Sequence, residues 1–534
     1  MRVSPPPPLA ACRASGAPAR TLVALPVHAR VRGRAAAPHA GRALRWRTCA
    51  APGDALEATP QPPAADADRS RALLGDLVAG VSVAFVCIPQ VRPPVYALSH
   101  PLRVGVHCAT SADANPGCLL QSLAYAALAG LSPTQGLHSN AVAPFGAAPF
   151  ASSRYLQTGC VAMSSLLAGA AVASLGLPLG SPASAGAASV LAAAVGALRV
   201  ALGLLRGGRL IMLIPHTVLD GFVCGACWLV FATQVPVILG ASPPPGMHFL
   251  SGAGWLLVRP DLWKVGPLLT ALGTVVCLFG GKRLHPLFPG AVIATLFGCA
   301  ACAAGLPIGS TVGAVSAGLP SLLDPRSLPW HLLPQLLSAA VAISVAGVAE
   351  AVAISSQFAK EKGQEWQCDR ELISQGTANL MSAAFGGFPV AGSLSRTSLG
   401  RTAGATSQLA HVITGLTVLA VLPLGAPLLA ALPRAVLGGL VACAVWPLLK
   451  PSPRLLVTRS LKGLPAEWPV RDLMLGWVTM AVTLAASPRL ELGLEAGLAL
   501  AVALALLQAI DHALMTSLQQ AAETDRPIFL EAAL

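Results

Sequence analysis

The sequence predicts an all-α polytopic membrane protein with about 14 transmembrane segments. Hydrophobic residues make up 54% of the 534 residues and charged residues only 11%, whereas a soluble domain carries about 25% charged residues. Apolar runs recur from Leu73 to Ile510, and a helix needs about 20 apolar residues to cross a bilayer core. The basic residues between these runs are unevenly distributed, which predicts the orientation of the chain in the membrane.

The predicted spans are short in several places and are interrupted by Gly and Pro. Broken segments at corresponding positions of two halves are typical of binding sites in membrane carriers. The spans are 74–90 continued by 122–131, then 135–151, 156–176, 187–205, 210–235, 264–280, 287–305, 331–357, 371–386, 391–400, 404–424, 433–449, 472–487 and 491–510.

Loops after even-numbered spans carry fourteen Lys and Arg residues, and loops after odd-numbered spans carry five, with the stretch 91–121 left out. Cytoplasmic loops of membrane proteins are enriched in Lys and Arg. The bias predicts that both termini and the loop 358–370 lie on the cytosolic or stromal side, and it supports an even number of spans.

The first 53 residues contain nine Arg and no Asp or Glu. This composition is typical of an organelle transit peptide, and a disordered basic tail would share it. We assign residues 1–70 to such a segment, 72–510 to the membrane domain and 511–534 to a short tail. Because nine of the +13 net charges lie in this segment, the basic balance does not predict a nucleic-acid partner.

The 13 cysteines lie mostly in apolar runs. Two pairs, Cys224/Cys227 and Cys299/Cys302, have the C-x2-C spacing. Zinc sites need a second pair or histidines in addition, and membrane cysteines usually serve as small packing residues. We therefore predict no metal site and no cofactor.

The segment 388–397, FPVAGSLSRT, follows one apolar span and opens another. Pro and Gly favour an unwound entry, and Ser suits a helix N-cap. A helix N-terminus carries about half a positive charge and free N–H donors, which suits a dehydrated anion. Ser393 and Ser395 would add hydroxyl donors, and Arg396 would add positive potential.

The segment 157–162, QTGCVA, opens the third span in a similar way. Two such helix starts facing each other would form an anion site at the bilayer midplane. Ordinary small-residue helix packing is the alternative. It accounts for the glycines but not for Arg396, because an arginine inside a membrane costs about 2.5–3.5 kcal/mol on insertion scales.

Two further charges lie within apolar spans. Glu350 is flanked by Val and Ala residues, and an intramembrane acid is by default functional. The alternative for Glu350 is a structural ion pair with Arg396. For Arg199 we expect the side chain to snorkel towards the Arg206 end of its span.

Several ordered motifs resemble those of the SulP sulfate permeases, the solute carrier 26 family. They read DLVAGVSVAFVCIPQ, SLAYAALAGLSPTQGL, SSRYLQTGCVAMSSLL, AISVAGVAEAVAISSQFAKEKGQ, ELISQGTANLMSAAFGGFPVAGSLSRTS, AGATSQLAHVITG and LPRAVLGGLVACAVWPLL. The resemblance covers residues 72–510. It implies a seven-plus-seven inverted repeat with core and gate domains, and a homodimer that moves a small anion by an elevator-like motion.

The resemblance also assigns roles to individual residues. Gln121 and Tyr125 match a glutamine and a tyrosine of the first span that contact substrate in the family, and Glu350 matches an acid thought to bind the coupling proton in sulfate–proton symporters. The bicarbonate branch typically has Asp there and uses sodium. The substrate-binding set implied is Gln90, Gln121, Tyr125, Thr158, Gly159, Cys160, Val161, Gly392, Ser393, Leu394, Ser395 and Arg396.

The sequence departs from the family pattern in two places. Family members run directly from I-P-Q into S-[LM]-A-Y-A, whereas here residues 91–121 intervene. This stretch begins with Val and ends with Gln, and its polar content breaks a span that must satisfy its own backbone. We interpret it as a retained intron, with a genuine luminal loop as the alternative. Family members usually also carry a soluble STAS domain. We do not expect one in residues 511–534, because this segment is too short for a module of domain size.

These observations predict a secondary active transporter of sulfate, coupled to protons, and not an enzyme. A bicarbonate or chloride transporter or exchanger of the same fold and an anion channel are the alternatives. The expected partners are a small inorganic anion, a coupling proton, the lipid bilayer and a second copy of the chain. The expected location is an organelle membrane, with the chloroplast envelope preferred to the mitochondrion, or another cellular membrane.

Overall fold

The structure is a computed structural model of the chain. It describes residues 66–85, 118–178, 180–211, 214–244, 246–284, 290–313, 318–449, 468–487 and 489–524. Gln90, most of the predicted transit segment, most of the stretch 91–121 and residues 525–534 lie outside the described residues.

The described chain is almost entirely helical, with two three-residue strands. The helices are α1 (Asp66–Phe85), α2 (Cys118–Leu128), α3 (Pro133–Ala147), α4 (Ala162–Ser174), α5 (Pro182–Leu204), α6 (Gly208–Ile211), α7 (His216–Leu239), α8 (Phe249–Leu257), α9 (Val265–Val275), α10 (Gly281–Leu284), α11 (Gly290–Ala303), α12 (Leu333–Lys362), α13 (Cys368–Ala384), α14 (Leu394–Thr402), α15 (Leu409–Ala430), α16 (Arg434–Val445), α17 (Trp468–Ala485) and α18 (Glu491–Thr524). The strands are β1 (Gln157–Gly159) and β2 (Ala391–Ser393).

Four of the described helices are long and apolar enough to cross a membrane, and seven shorter ones are also apolar. The long spans are Pro182–Leu204, Thr217–Leu239, Trp330–Glu361 and Glu491–Ser517. In a bilayer each backbone polar group must be satisfied within the protein, and helices achieve this locally. The mostly helical structure agrees with the predicted fold class.

Local sequence explains where the long helices begin and end. Ser181 caps α5, because its hydroxyl accepts the N–H of Ser184 over 3.1 Å, and Pro182 occupies the first turn where no N–H is needed. Helix α12 ends at Gly363, which adopts a left-handed conformation with φ 60°. Glycine reaches that conformation without a Cβ penalty.

The helices pack in two groups. In the first group, α13 lies against α5 and α3, and α15 lies against α1 and α3. In the second group, α7 packs on α16 and α17, α16 packs on α9, and α17 packs on α18. Helices α2, α4 and α12 also belong to the first group, because α2 packs on α3 and both α4 and α12 pack on α5. The two groups meet where these three helices contact α16, α7 and α18, respectively. Both strands belong to the first group.

Glycines allow helices α5 and α13 of the first group to pack closely. A Cβ on Gly376 would lie 2.7 Å from the backbone nitrogen of Val200 and 2.9 Å from the carbonyl oxygen of Gly196. A side chain at this position would force the helices apart, so the absence of a Cβ atom at Gly376 permits their close approach. Small residues serve the same purpose at membrane helix interfaces generally.

Several predicted spans differ from the structure at their boundaries. The predicted span 210–235 is divided into α6 and α7, because Pro215 caps the start of α7 in an extended conformation. The predicted spans 156–176 and 391–400 begin with strands β1 and β2 instead of helices, and the last helix continues from 491 past 510 to 524. Helix α8, at 249–257, was not predicted because nine residues are too few to give a spanning apolar run.

Candidate functional site

Strands β1 and β2 form an antiparallel pair that joins two segments more than two hundred residues apart in the chain. Gln157 lies opposite Ser393, Thr158 opposite Gly392, and Gly159 opposite Ala391. Both strands are buried. This two-stranded ribbon brings together the two segments that the sequence indicated as helix starts.

A helix leaves each end of the ribbon. Helix α4 follows β1 and helix α14 follows β2 directly. Because the strands are antiparallel, the helices depart from opposite ends, and both N-termini face the ribbon. Val161, the N-cap of α4, makes no side-chain cap hydrogen bond, so its first-turn N–H groups are not capped by that side chain. The N-cap of α14, Ser393, accepts only a long 3.5 Å bond from the N–H of Arg396.

The amide of Asn140, in α3, ties the ribbon to α14. Its Oδ1 accepts a hydrogen bond of 2.8 Å from the N–H of Cys160 and one of 2.9 Å from Nη1 of Arg396. Its Nδ2 donates to the hydroxyl of Ser122 in α2. A Cβ on Gly159 would clash with Oδ1 of Asn140 and lie 2.8 Å from Nη1 of Arg396, so only glycine fits beside this contact.

Arg396 is 2% exposed, which makes it one of the most deeply buried large side chains. Its helix also carries Ser395, whose hydroxyl lies 3.2 Å from that of Ser393. A buried arginine and two hydroxyl groups therefore share the first turn of α14. Positive charge and O–H donors at a helix N-terminus are the groups that recognise an anion.

His411, in α15, holds the middle of β1. Its Nε2 lies 3.0 Å from the backbone nitrogen of Thr158 and 2.9 Å from the carbonyl oxygen of the same residue, and its Nδ1 lies 3.3 Å from Oε1 of Gln408. When the ring proton is on Nδ1, Nδ1 donates to Gln408 and Nε2 accepts the N–H of Thr158. The hydroxyl of Thr158 also accepts a 2.7 Å bond from Nε2 of Gln375.

The approach to β2 is held by polar side chains from α3 and α13. Asn379 accepts the N–H of Val390 and donates to the carbonyl of the same residue, both over 2.9 Å. The hydroxyl of Ser139 accepts the N–H of Phe388 over 3.0 Å. These bonds satisfy buried backbone groups that no helix or sheet ladder could reach, so the ribbon is rigidly placed.

Glu350 lies in α12 and is exposed, although Arg396, Arg199 and Tyr125 within its Coulombic range are buried. Glu350 therefore lies close to the two buried arginines. Tyr125 also lies within Coulombic range of Cys160. The acid, the tyrosine and the two helix starts are thus gathered at one place in the fold.

The expectation for Arg199 was wrong. Its side chain is fully buried and does not snorkel towards Arg206. Nη1 donates to the carbonyl oxygen of Val390 over 3.0 Å, and Nη2 donates to that of Ile343 over 2.8 Å. The carbonyl oxygen of Val390, which also accepts from Asn379, is available to Arg199 because Val390 lies in the irregular segment before β2.

The structure thus places the described predicted residues in three segments of the chain. Thr158, Gly159, Cys160 and Val161 lie in β1 and at the start of α4, Gly392 to Arg396 lie in β2 and α14, and Gln121 and Tyr125 are buried in α2. The predicted site residues do not include three polar residues that hold this arrangement, Asn140, Gln375 and His411. His411 stands in the otherwise apolar helix α15, and the cost of a polar side chain there was the available indication, whereas α3 and α13 carry several polar residues and gave no such signal.

A helical membrane protein whose helix starts meet at a buried ribbon, with a buried arginine beside them, belongs to the class of membrane carriers with discontinuous segments. Residues 117–464 match the sulfate permease family. Since this match covers more than half of the chain, the protein belongs to the sulfate permease family. The family consists of integral membrane transporters and not of enzymes.

Curated relatives agree with this assignment. Human solute carrier family 26 member 6 is 28% identical over 455 residues, which are 79% of this chain and 53% of that protein. Sulfate transporter 4.1, chloroplastic, of Arabidopsis thaliana is 29% identical over 381 residues, which are 68% of this chain and 53% of that protein. The chain spans about half the length of these relatives.

Solved structures share the fold. The transmembrane domain of a cyanobacterial bicarbonate transporter, BicA, matches with a TM-score of 0.62 and 24% identity, covering 80% of this chain and 97% of that one. The murine solute carrier 26 family member A9 anion transporter, in its inward-facing state, matches with a TM-score of 0.66 and 19% identity, covering 84% of this chain and 73% of that one.

Proposed function

We propose that this protein is a secondary active transporter of sulfate and that its substrate binds between the N-termini of α4 and α14. The observation that carries this proposal is the β1–β2 ribbon with buried Arg396 beside it. N–H groups at two helix starts, the hydroxyls of Ser393 and Ser395 and one fixed cation together suit a dehydrated oxyanion. The names of the plant relatives, which are sulfate transporters, support sulfate as that anion.

Proton coupling through Glu350 is the second part of the proposal. A carboxyl group close to Arg396 and Arg199 has two protonation states, which differ by one unit of charge. Protonation removes a negative charge that would repel the arriving anion. Anion binding and proton binding would therefore favour each other, which is what a symporter requires.

The architecture suits an elevator-like carrier. We take the first group of helices as the core domain and the second group as the gate domain, in a seven-plus-seven inverted repeat of fourteen segments within residues 72–510. The core would slide along the gate where α2, α4 and α12 contact α16, α7 and α18. A homodimer joined through the gate domains would hold the gates still during this movement.

For the remaining parts of the chain we propose an organelle transit segment in residues 1–70 and a short tail in 511–534. The arginine-rich composition of the first part supports targeting to an organelle. The chloroplast envelope is the membrane we propose, since one relative is named as chloroplastic.

Uptake into proteoliposomes tests the proposal directly. Radiolabelled sulfate and bicarbonate would be offered in turn under an imposed pH gradient or sodium gradient. We expect saturable sulfate uptake that is driven uphill by an inward proton gradient. Bicarbonate uptake driven by sodium would support the bicarbonate alternative, and uptake that does not saturate or accumulate would indicate a channel.

A further inference from the structure

Arg199 carries a second buried positive charge close to the candidate site. Its guanidinium group donates to the carbonyl oxygens of Val390 and Ile343, and its Nε makes no hydrogen bond with any described residue. No described carboxylate forms a salt bridge with it, since within the described residues the salt bridge found joins Arg401 and Glu361. Among the described residues, the direct partners of the charge are thus two carbonyl dipoles, and Glu350 acts on it only at longer range.

The guanidinium group of Arg199 lies close to strand β2 and to helix α12. Val390 is the residue before β2. A Cβ on Gly347 would clash with Nη2 of Arg199 and lie 3.2 Å from Cβ of Ala391 in β2. Gly347 precedes Glu350 by one helical turn, and Glu350 is in Coulombic range of Arg199. Arg199 therefore touches the base of β2 and the face of α12 that carries the acid.

The hydrogen bonds by which Arg199 connects α5 to α12 and to the segment before β2 do not need a charged donor. A neutral amide such as Gln also has two N–H donors for carbonyl groups, and burying an ion costs far more free energy than burying an amide. A charged side chain within the membrane is by default functional. The charge itself, and not only the hydrogen bonds, requires an explanation.

We infer that Arg199 is a second fixed cation of the anion site and that it determines the preference for divalent over monovalent anions. This inference rests on the proposed function. Arg396 stands beside the anion. Arg199 does not contact the anion and acts on it electrostatically across the ribbon. Two fixed cations offset the two charges of sulfate, whereas one would suffice for chloride or bicarbonate.

Coulomb's law gives a quantitative expectation that does not depend on the unknown distance. The energy of an anion in the field of Arg199 is proportional to the charge of the anion. A divalent anion therefore loses twice the free energy that a monovalent anion loses at the same point when the charge of Arg199 is removed. If chloride binding weakens n-fold, sulfate binding weakens n²-fold.

The test compares the dissociation constants of sulfate and chloride for the purified full chain. Arg199→Gln keeps a donor and Arg199→Met keeps an apolar stem, and both remove the charge, whereas Arg199→Lys keeps it. Arg209→Gln removes an exposed arginine of α6 and is the matched control. In the neutral variants we expect the sulfate-to-chloride preference to fall tenfold or more, equivalent to about 1.4 kcal/mol. In Arg199→Lys and Arg209→Gln we expect it to stay within threefold of the wild type.

Equal weakening of both anions in the two neutral variants would overturn the inference and leave Arg199 as a structural cross-link. Failure of both to give a monodisperse protein with a cooperative melt would do the same, because it would assign the charge to stability. Neither result would touch the proposed function, which instead fails if the wild-type protein binds no sulfate.

Discussion

Arg396 donates from Nη1 to Oδ1 of Asn140 over 2.9 Å, across a sequence separation of more than two hundred and fifty residues. The same oxygen accepts the N–H of Cys160 over 2.8 Å. One amide therefore fixes the arginine of α14 relative to the start of α4. The cation of the site is held by protein before any anion arrives, and such preorganisation lowers the cost of binding.

Replacing Asn140 by Asp should separate the structural and electrostatic parts of this contact. The carboxylate can still accept from Cys160 and Arg396, but it would place a negative charge where the anion is proposed to bind. We expect sulfate binding to weaken at least tenfold while the melting temperature changes little. Asn140→Ala should instead lower stability, by roughly 1–3 kcal/mol for each buried donor left without its acceptor.

Binding by isothermal titration and melting of the purified protein would check both expectations. Gln364→Glu, in the turn after α12, adds the same charge away from the ribbon and is the control. Wild-type affinity in Asn140→Asp would show that Asn140 does not lie beside the anion.

Ser395→Ala and Arg396→Ala test the first turn of α14. Charge-assisted hydrogen bonds contribute about 1.5–3 kcal/mol, so each variant should bind sulfate tenfold or more weakly. Arg396→Ala should also lose some stability, because its bond to Asn140 is lost. Ser398→Ala, further along the same helix, is the matched control. Binding within twofold of the wild type in both variants would refute the assignment of this helix start to the substrate.

His411→Ala should weaken substrate binding through β1 and not by direct contact. Without the ring, the buried N–H of Thr158 has lost the acceptor seen at 3.0 Å, at a cost of roughly 1–3 kcal/mol. We expect a higher KM with a smaller change in the maximal rate, and partial rescue by His411→Gln, whose amide oxygen can accept the same N–H. His248→Ala, at an exposed histidine before α8, is the control. Equal defects in the Ala and Gln variants would contradict a role in positioning Thr158.

The sequence was sufficient for the membrane class, the principal spans and the two helix starts, because these depend on local composition and on short motifs. It was not sufficient for the ribbon, since the pairing of Gln157 with Ser393 is a tertiary contact between distant segments. Arg199 was misinterpreted for a related reason. Only the fold shows that the carbonyl groups of Val390 and Ile343 are in reach, so that the side chain can stay buried.

Glu350→Gln tests the coupling of transport to protons. The amide resembles a protonated carboxyl group and cannot release a proton, so sulfate should still bind and exchange while uphill accumulation driven by a pH gradient is lost. Proteoliposomes with either a pH gradient or sulfate on both sides would measure the two activities separately. Glu365→Gln, at an exposed residue after α12, should keep both. Unchanged uphill uptake in Glu350→Gln would exclude this residue as the proton carrier.

The stretch 91–121 is expected to be absent from the mature transcript. Its first codon, for Val, begins with GT, and CAG for Gln121 would end it with AG, so its 31 residues correspond to 93 nucleotides with intron-like ends. Only its last four residues are described, as the first turn of α2, where Leu119, Leu120 and Gln121 are buried. A deletion would bring Ile88, Pro89 and Gln90 to these three places.

Deletion of 91–121 should therefore preserve the site. Gln90 would then stand four residues before Tyr125, as Gln121 does now, so a glutamine is kept at that position of the helix. The deletion also removes two arginines and an aspartate from the middle of a predicted span, where charges are costly. We expect the shortened protein to express and to take up sulfate at least as well as the full chain. Transcript sequencing decides the origin of the stretch, because reads that all contain the 93 nucleotides would establish it as a genuine loop.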